Sequence, residues 1–270
     1  MILDTLAAAA KRRVAKLEKV KSLAAVRAEA EQIYKESAVT SGNTSACRGK
    51  SFLANLQRPD LNFICECKKA SPSKGLISPE FPYLKIAKAY VRGGAAAISV
   101  LTEPEYFLGS DVYLQEIAGQ VNLPVLRKDF TVSPYQIFEA KTLGASAVLL
   151  ICAILSASQL EEYRLAAESV GLDALVETHD GQEIETALQS GAKIIGINNR
   201  NLKDFTVDIG TCLELRKEIP EDRICIAESG IRDEADIRSL KAKGFNGVLI
   251  GETLMRSGKP EEMLRKLREA

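Results

Sequence analysis

NFICECKKASPSKG, residues 62–75, begins as a six-residue run that is apolar apart from Asn62 and Glu66, and it ends in a loop of lysines, serines and a proline. A strand apolar on both faces belongs in a parallel sheet, because helices cover such a sheet on each side. Seven further runs share this character: AAISVL (96–101), PVLR (124–127), AVLLIC (147–152), DALVE (173–177), KIIGIN (193–198), ICIAE (224–228) and GVLIG (247–251). They recur every 20 to 35 residues or so, the length of a strand–loop–helix–loop unit. Five of the runs follow a glycine, in GGAAAISVL, LGASAVLL, SVGLDALVE, SGAKIIGIN and KGFNGVLIG, where a left-handed residue ends a helix cheaply. The pattern predicts an α/β chain closed into a single (β/α)8 barrel. A doubly wound open sheet would share the periodicity, but eight even units with no G-x-G-x-x-G after the first strand favour closure.

Residues 1–60 lie outside this count and read as a helical extension of the same domain, the barrel occupying 61–270. From Ile2 to about Glu36, apolar residues at Leu3, Leu6, Ala10, Val14 and Leu17, then Val26, Ala30 and Ile33, have helical spacing. SAVTSGNTSACRGKS (37–51) reads as an exposed loop, and SFLANLQ (51–57) as a short helix before the first strand. Lys11, Arg12 and Arg13 follow the apolar start instead of preceding it, the reverse of a secretion signal.

Composition narrows the function. Lys plus Arg and Asp plus Glu both total 36, so no surplus charge attracts a nucleic acid or an anionic membrane. No apolar run approaches the roughly eighteen residues of a membrane span. Six cysteines, at 47, 65, 67, 152, 212 and 225, show no C-x-x-C spacing and have only His179 to complete a metal set, so no metal is expected and the thiols read as reduced, in a cytoplasmic protein. Cys65 and Cys67 fall on the strand face opposite Glu66 and Lys68 and read as packing residues.

Strands buried on both faces should carry few charges, yet charged or polar residues recur at their C-terminal ends: Glu66 and Lys68, Arg127 and Lys128, Glu177, Asn198 and Arg200, Glu228. Barrel enzymes build their sites at that end. Alternation puts Glu66 with Lys68, Lys128 with Phe130, and Asn198 with Arg200 on common faces. If those faces look inward, three carboxylates meet three cations in a nearly neutral group. An ion-pair network that merely closes the barrel top is the competing reading. After the last two strands, AESGIRDEAD and IGETLMRSG each put a glycine where a helical segment begins. Backbone amides of Ser229, Gly230, Gly251 and Glu252 can therefore converge on a phosphate, beside a short helix near 252–256. KKASPSKG suits a loop closing over an anion. His179 reads as a loop or helix-start residue.

The ordered stretches ECKKASPSKG, LTEPEYFLGS, LRKDF, ALVETHD, GINNRNL, AESGI and LIGETLM closely resemble the indole-3-glycerol-phosphate synthase family over nearly the whole chain, helical extension included. The resemblance implies conversion of 1-(2-carboxyphenylamino)-1-deoxyribulose 5-phosphate to indole-3-glycerol phosphate, with loss of carbon dioxide and water and without metal or organic cofactor. It implies catalytic roles for Lys128, Glu177, Glu66, Lys68, Asn198 and Glu228. Substrate contacts carry over to Arg200, Ser71, Phe107 and Phe130, and phosphate contacts to Ser229, Gly230, Gly251 and Glu252. A lysine of lowered pKa would serve as the acid, either Lys128 or Lys68. The Glu252 carboxylate would repel phosphate, leaving only its amide to bind. The expected partner is the small phosphosugar, the chain acting as a monomer or associating with other tryptophan-pathway enzymes. The alternatives are another phosphosugar barrel, such as phosphoribosylanthranilate isomerase, and a barrel that binds without catalysing.

Overall fold

A computed structural model of the chain describes residues 2–40, 51–202 and 204–270. Eight parallel strands close into a barrel: β1 (Asn62–Cys67), β2 (Ala97–Leu101), β3 (Val125–Lys128), β4 (Ala147–Ile151), β5 (Asp173–Thr178), β6 (Ile194–Asn198), β7 (Ile224–Glu228) and β8 (Gly247–Ile250). β1 seals the ring against β8, with Asn62 opposite Gly247 and Cys65 opposite Ile250. All eight predicted runs are strands, with no end shifted by more than one residue. Pro124 has no N–H for the ladder, so β3 begins one residue later, and the Pro124 carbonyl still accepts from the Ile98 amide.

The helices are α1 (Ile2–Val20), α2 (Leu23–Thr40), α3 (Phe52–Leu56), α4 (Tyr83–Gly93), α5 (Asp111–Gln120), α6 (Pro134–Thr142), α7 (Ala157–Ser169), α8 (Gly181–Gln189), α9 (Gly210–Leu215), α10 (Glu234–Ala242), α11 (Glu252–Arg256) and α12 (Pro260–Arg268). Ser110, Ser133, Ser156, Asp180 and Asp233 cap α5, α6, α7, α8 and α10 with side-chain oxygens that accept first-turn amides. The glycines before β2, β4, β5, β6 and β8, residues 94, 144, 171, 191 and 244, all have positive φ.

Alternation divides the apolar side chains into two buried layers. Ile64, Leu126, Leu149, Leu175 and Ile226 fill the barrel, while Phe63, Cys65, Cys67 and Val100 pack outward under the helices. Cys65 and Cys67 are fully buried thiols, as their strand positions require. Helix α3 plugs the bottom, where Phe52 and Leu56 join the inner layer and the Leu53 amide donates to Asp173 at 2.9 Å.

The extension is two helices. Val26 lies nine residues past Leu17, about half a turn out of phase at roughly 100° per residue, so one helix could not bury both stripes. The break falls at Lys21 and Ser22, whose hydroxyl accepts from the Ala25 amide. α2 packs on α6, with Arg27 5.5 Å over the Phe138 ring. The predicted loop at 37–51, with Cys47, lies largely outside the described residues. No helix among the described residues is long and apolar enough to cross a membrane.

Candidate active site

The C-terminal ends of the strands surround a cavity of about 720 Å³. Its lining includes every candidate from the sequence: Glu66, Lys68, Ser71, Phe107, Lys128, Phe130, Glu177, Asn198, Arg200, Glu228, Ser229, Gly230, Gly251 and Glu252. Three regions follow one another across it, an ionic centre, an aromatic end and a glycine-rich end.

At the centre the Lys128 ammonium donates to Glu177 Oε2 at 2.7 Å and to Glu228 Oε2 at 2.9 Å. Asn198 Nδ2 donates to Glu177 Oε1 at 3.1 Å, and Lys68 pairs with Glu66 at 2.5 Å. Backbone economy makes room for these groups. A side chain at Gly196 would sit 2.1 Å from the Glu228 carboxylate, and one at Gly251 would sit 2.8 Å from that of Glu66. Two inward glycines thus admit two inward glutamates.

Two expectations need correction. Arg200 does not join the ion-pair group: its guanidinium instead lies 3.3 Å from Ser73 Oγ, in the loop after β1, and 3.4 Å from the Phe205 carbonyl. Only its amide touches the centre, donating to Asn198 Oδ1 at 3.0 Å. Nor is Lys128 a lysine of lowered pKa. Burial pushes its ammonium down, but Glu177, Glu228 and Glu66 more than offset that and hold it well above its ordinary range. It is therefore fully protonated at neutral pH, the state an acid needs.

The two glutamates beside Lys128 diverge. Burial raises the Glu177 carboxyl, but Lys128 and His179 outweigh it and keep the group far below its ordinary value. Burial pushes Glu228 up to about 7, and the Lys128 charge does not fully reverse this because Glu177 and Glu66 repel a further anion. A carboxyl raised in the folded state lowers stability as pH climbs from its ordinary 4.5 through 7, since the unfolded chain releases that proton first. The loss amounts to at most roughly 3 kcal/mol at full ionisation. Glu228→Gln removes the ionisation, so its melting temperature should gain on the parent chain by several degrees between pH 5 and pH 8. Scanning calorimetry across that range checks this, and a gap independent of pH would contradict it.

At the aromatic end, Phe107 and Phe130 stand 6.1 Å apart with rings inclined by 42°. Their loops are tied to the extension. Arg13 of α1 donates to both oxygens of buried Asp129 at 2.7 and 2.6 Å, and Asp129 also accepts from the Thr102 hydroxyl and the Phe130 amide. Buried Glu103 accepts the amides of Glu105, Tyr106 and Phe107 at 2.7 to 3.0 Å, and Arg13 lies 4.0 Å from it. Ile2, Leu3 and Leu6 of α1 line the cavity directly. Sequence reading missed this use of the extension; its one visible signal was Arg13 beside an otherwise apolar stripe. Arg127 points the other way and serves packing, its guanidinium bonded to Asp111, Glu139 and the Gln136 carbonyl.

At the opposite end, Ser229 and Gly230 take consecutive left-handed conformations, φ 64° and 78°, turning the chain after β7. Gly251 is the cap residue before α11, whose first-turn amides have no partner within the helix. The Glu252 carboxylate is drawn aside to Arg256 at 3.1 Å and Lys74 at 3.7 Å. His179, read from sequence as a helix-start residue, does precede α8, yet it also contacts Glu177, with Nε2 3.4 Å from Oε1.

The model of the family described as indole-3-glycerol phosphate synthase matches residues 3–267. A curated protein of that name from Ruminiclostridium cellulolyticum is 51% identical over 268 residues, covering 99% of each chain. Another, from Lacticaseibacillus paracasei, is 50% identical over 269 residues, covering 100% of this chain and 99% of its own. Among solved structures, a mandelate oxidase mutant with benzaldehyde aligns with a TM-score of 0.59 at 17% identity, over 90% of this chain and 92% of that one. Thiamine phosphate pyrophosphorylase from Pyrococcus furiosus gives 0.57 at 16% identity, over 77% and 94%. At such identities these two share the fold alone, whereas half the residues over full length carry descent with the first pair. The chain belongs to the indole-3-glycerol phosphate synthase family.

Proposed function

We propose that the cavity closes and decarboxylates 1-(2-carboxyphenylamino)-1-deoxyribulose 5-phosphate, with the anthranilate ring against Phe107 and Phe130 and the phosphate at Ser229, Gly230, Gly251 and the Glu252 amide. The observation that carries this reading is the Glu177–Lys128–Glu228 group, set between an aromatic wall and a turn rich in backbone donors. The ring carbon bearing the carboxylate attacks the ketone, a carbon–carbon bond forms, and the ketone oxygen takes a proton. Of the lysines lining the cavity, Lys68, Lys74 and Lys128, it is Lys128, bonded to Glu177 at the ionic centre, that gives this proton. Carbon dioxide then leaves and its bonding electrons restore the aromatic ring. The new hydroxyl departs as water with a second proton, while a base removes one hydrogen from the adjacent methylene. Glu177, ionised and held on both oxygens, is that base. Asn198 holds its orientation, Glu66 steadies Lys68, and Glu228 steadies Lys128. Arg200 and Ser71 border the sugar phosphate. A cytoplasmic setting accords with the five described cysteines, all of them free thiols.

The test is ultraviolet absorbance on mixing purified protein with that substrate: an indole spectrum should grow in, and its failure to develop would end the assignment. Inorganic phosphate should compete with substrate and raise the melting temperature by several degrees at saturation, as a ligand of the folded state alone must. Gly230→Val puts a side chain 2.6 Å from Val207 at a positive φ. It should weaken phosphate affinity at least tenfold by isothermal titration, and unchanged affinity would move the phosphate elsewhere.

A further inference from the structure

His179 is the chain's single histidine, and the chemistry above leaves it unused. Its imidazole is held from behind by α8. Glu183 in the first turn accepts the His179 backbone amide at 2.8 Å and contacts Nδ1 at 2.9 Å with the same oxygen. The Glu183 amide is in turn fixed by the cap Asp180 at 2.9 Å. This anchor aims Nε2 at Glu177 Oε1, 3.4 Å away, close enough for charge attraction without a directed hydrogen bond. Both groups are largely buried, with side-chain exposures of 15% and 5%.

We propose that His179 is a positioning residue that keeps Glu177 ionised and correctly turned during the interval in which Lys128 has given up its proton. The proposal rests on Glu177 acting as the base and Lys128 as the acid. While Lys128 is an ammonium, Glu177 has a hydrogen-bonded cation on Oε2. Once Lys128 protonates the substrate oxygen, that cation is gone, and a buried carboxylate left with Asn198 alone would be poised to take up a proton prematurely. A second cation on Oε1, belonging to a group that takes no part in the acid step, prevents this.

The groups facing the imidazole make it such a cation. Glu177 of β5 and Glu183 of α8 flank it directly; Asp180 precedes α8; Lys128 of β3 and Glu228 of β7 stand beyond Glu177; and Cys152, after β4, donates to the Glu183 carbonyl with a thiol that burial pushes up to about 12. Burial disfavours the charged ring, but the two carboxylates prevail and raise its pKa to about 10.

One imidazole in the chain permits a direct test on untagged protein. Ring-nitrogen NMR should give the imidazolium signature at pH 8, and Glu183→Gln should bring the titration down toward the ordinary histidine range. A neutral ring at pH 8 in the parent chain overturns the proposal, and this arm needs no substrate. In the kinetic arm, His179→Ala should lower kcat ten- to a hundredfold with KM changed less than threefold. The acid limb of its kcat profile should move toward neutral pH, because Glu177 has lost a cation. His179→Gln, which retains a donor without charge, should recover part of kcat and leave the limb displaced. An unmoved acid limb in both variants overturns the proposal. If His179→Ala does not fold, the Glu183→Gln limb decides, since that change leaves Glu177 and His179 in place. Absence of turnover in the parent chain would instead overturn the substrate assignment while the NMR result stands.

Discussion

Lys128→Ala should lower kcat/KM about a thousandfold, within the hundred- to ten-thousandfold range for loss of a positioned acid, while the circular dichroism of the barrel is unchanged. The expected loss is large because one ammonium does two jobs. It supplies a proton to the substrate oxygen, and it is the cation bonded to both Glu177 and Glu228. Without it, two buried carboxylates share one space, and the pair should take up a proton sooner than hold two charges. The base is then partly neutralised along with the loss of the acid. Stability follows the same sign. Carboxyl groups whose folded pKa is raised cost stability as pH rises, so the variant should melt progressively below the parent chain between pH 5 and pH 8. Indole absorbance measures the rate and calorimetry the pH trend. A rate within tenfold of the parent would remove Lys128 from the chemistry.

Glu177→Gln should lower kcat at least a hundredfold with KM little changed. The amide oxygen can still accept from Lys128, so the geometry of the centre survives; what disappears is a basic oxygen. Because that base acts only after carbon dioxide has left, the two products should separate in time. In a single turnover, carbon dioxide release should run well ahead of the indole chromophore, whereas the parent chain should show both together. Equal slowing of the two signals would assign Glu177 to an earlier step.

The barrel was readable in the sequence because its rules are local. Period-two alternation, glycines at helix ends and serine or aspartate caps act within a few residues of themselves, and all eight predicted runs became strands. The candidate residues were readable for a related reason. A strand covered on both faces tolerates few charges, so Glu66, Lys128, Glu177 and Glu228 stood out against apolar neighbours, and all of them line one cavity.

Partnership was not readable in this way. Arg13 and Asp129 are 116 residues apart, and nothing local to either says that α1 lies across the mouth. Arg200 differs from expectation for the same reason, and the contact of His179 with Glu177 was equally hidden along the chain: whether a charged side chain meets a carboxylate, a loop serine or a neighbouring base depends on where other strands end. The protonation of Lys128 is the sharpest case. Burial alone argues for a lowered pKa, and only the positions of Glu177, Glu228 and Glu66 reverse the sign.

The sequence by itself thus determined the barrel, the end of it that carries the chemistry, and the residues present there, since periodicity and the cost of burying charge act along the chain. Tertiary structure alone decided who pairs with whom, which groups hold protons, and that the N-terminal helix walls the site. Coulomb attraction and repulsion fall off with distance in space, and distance along the chain does not report it.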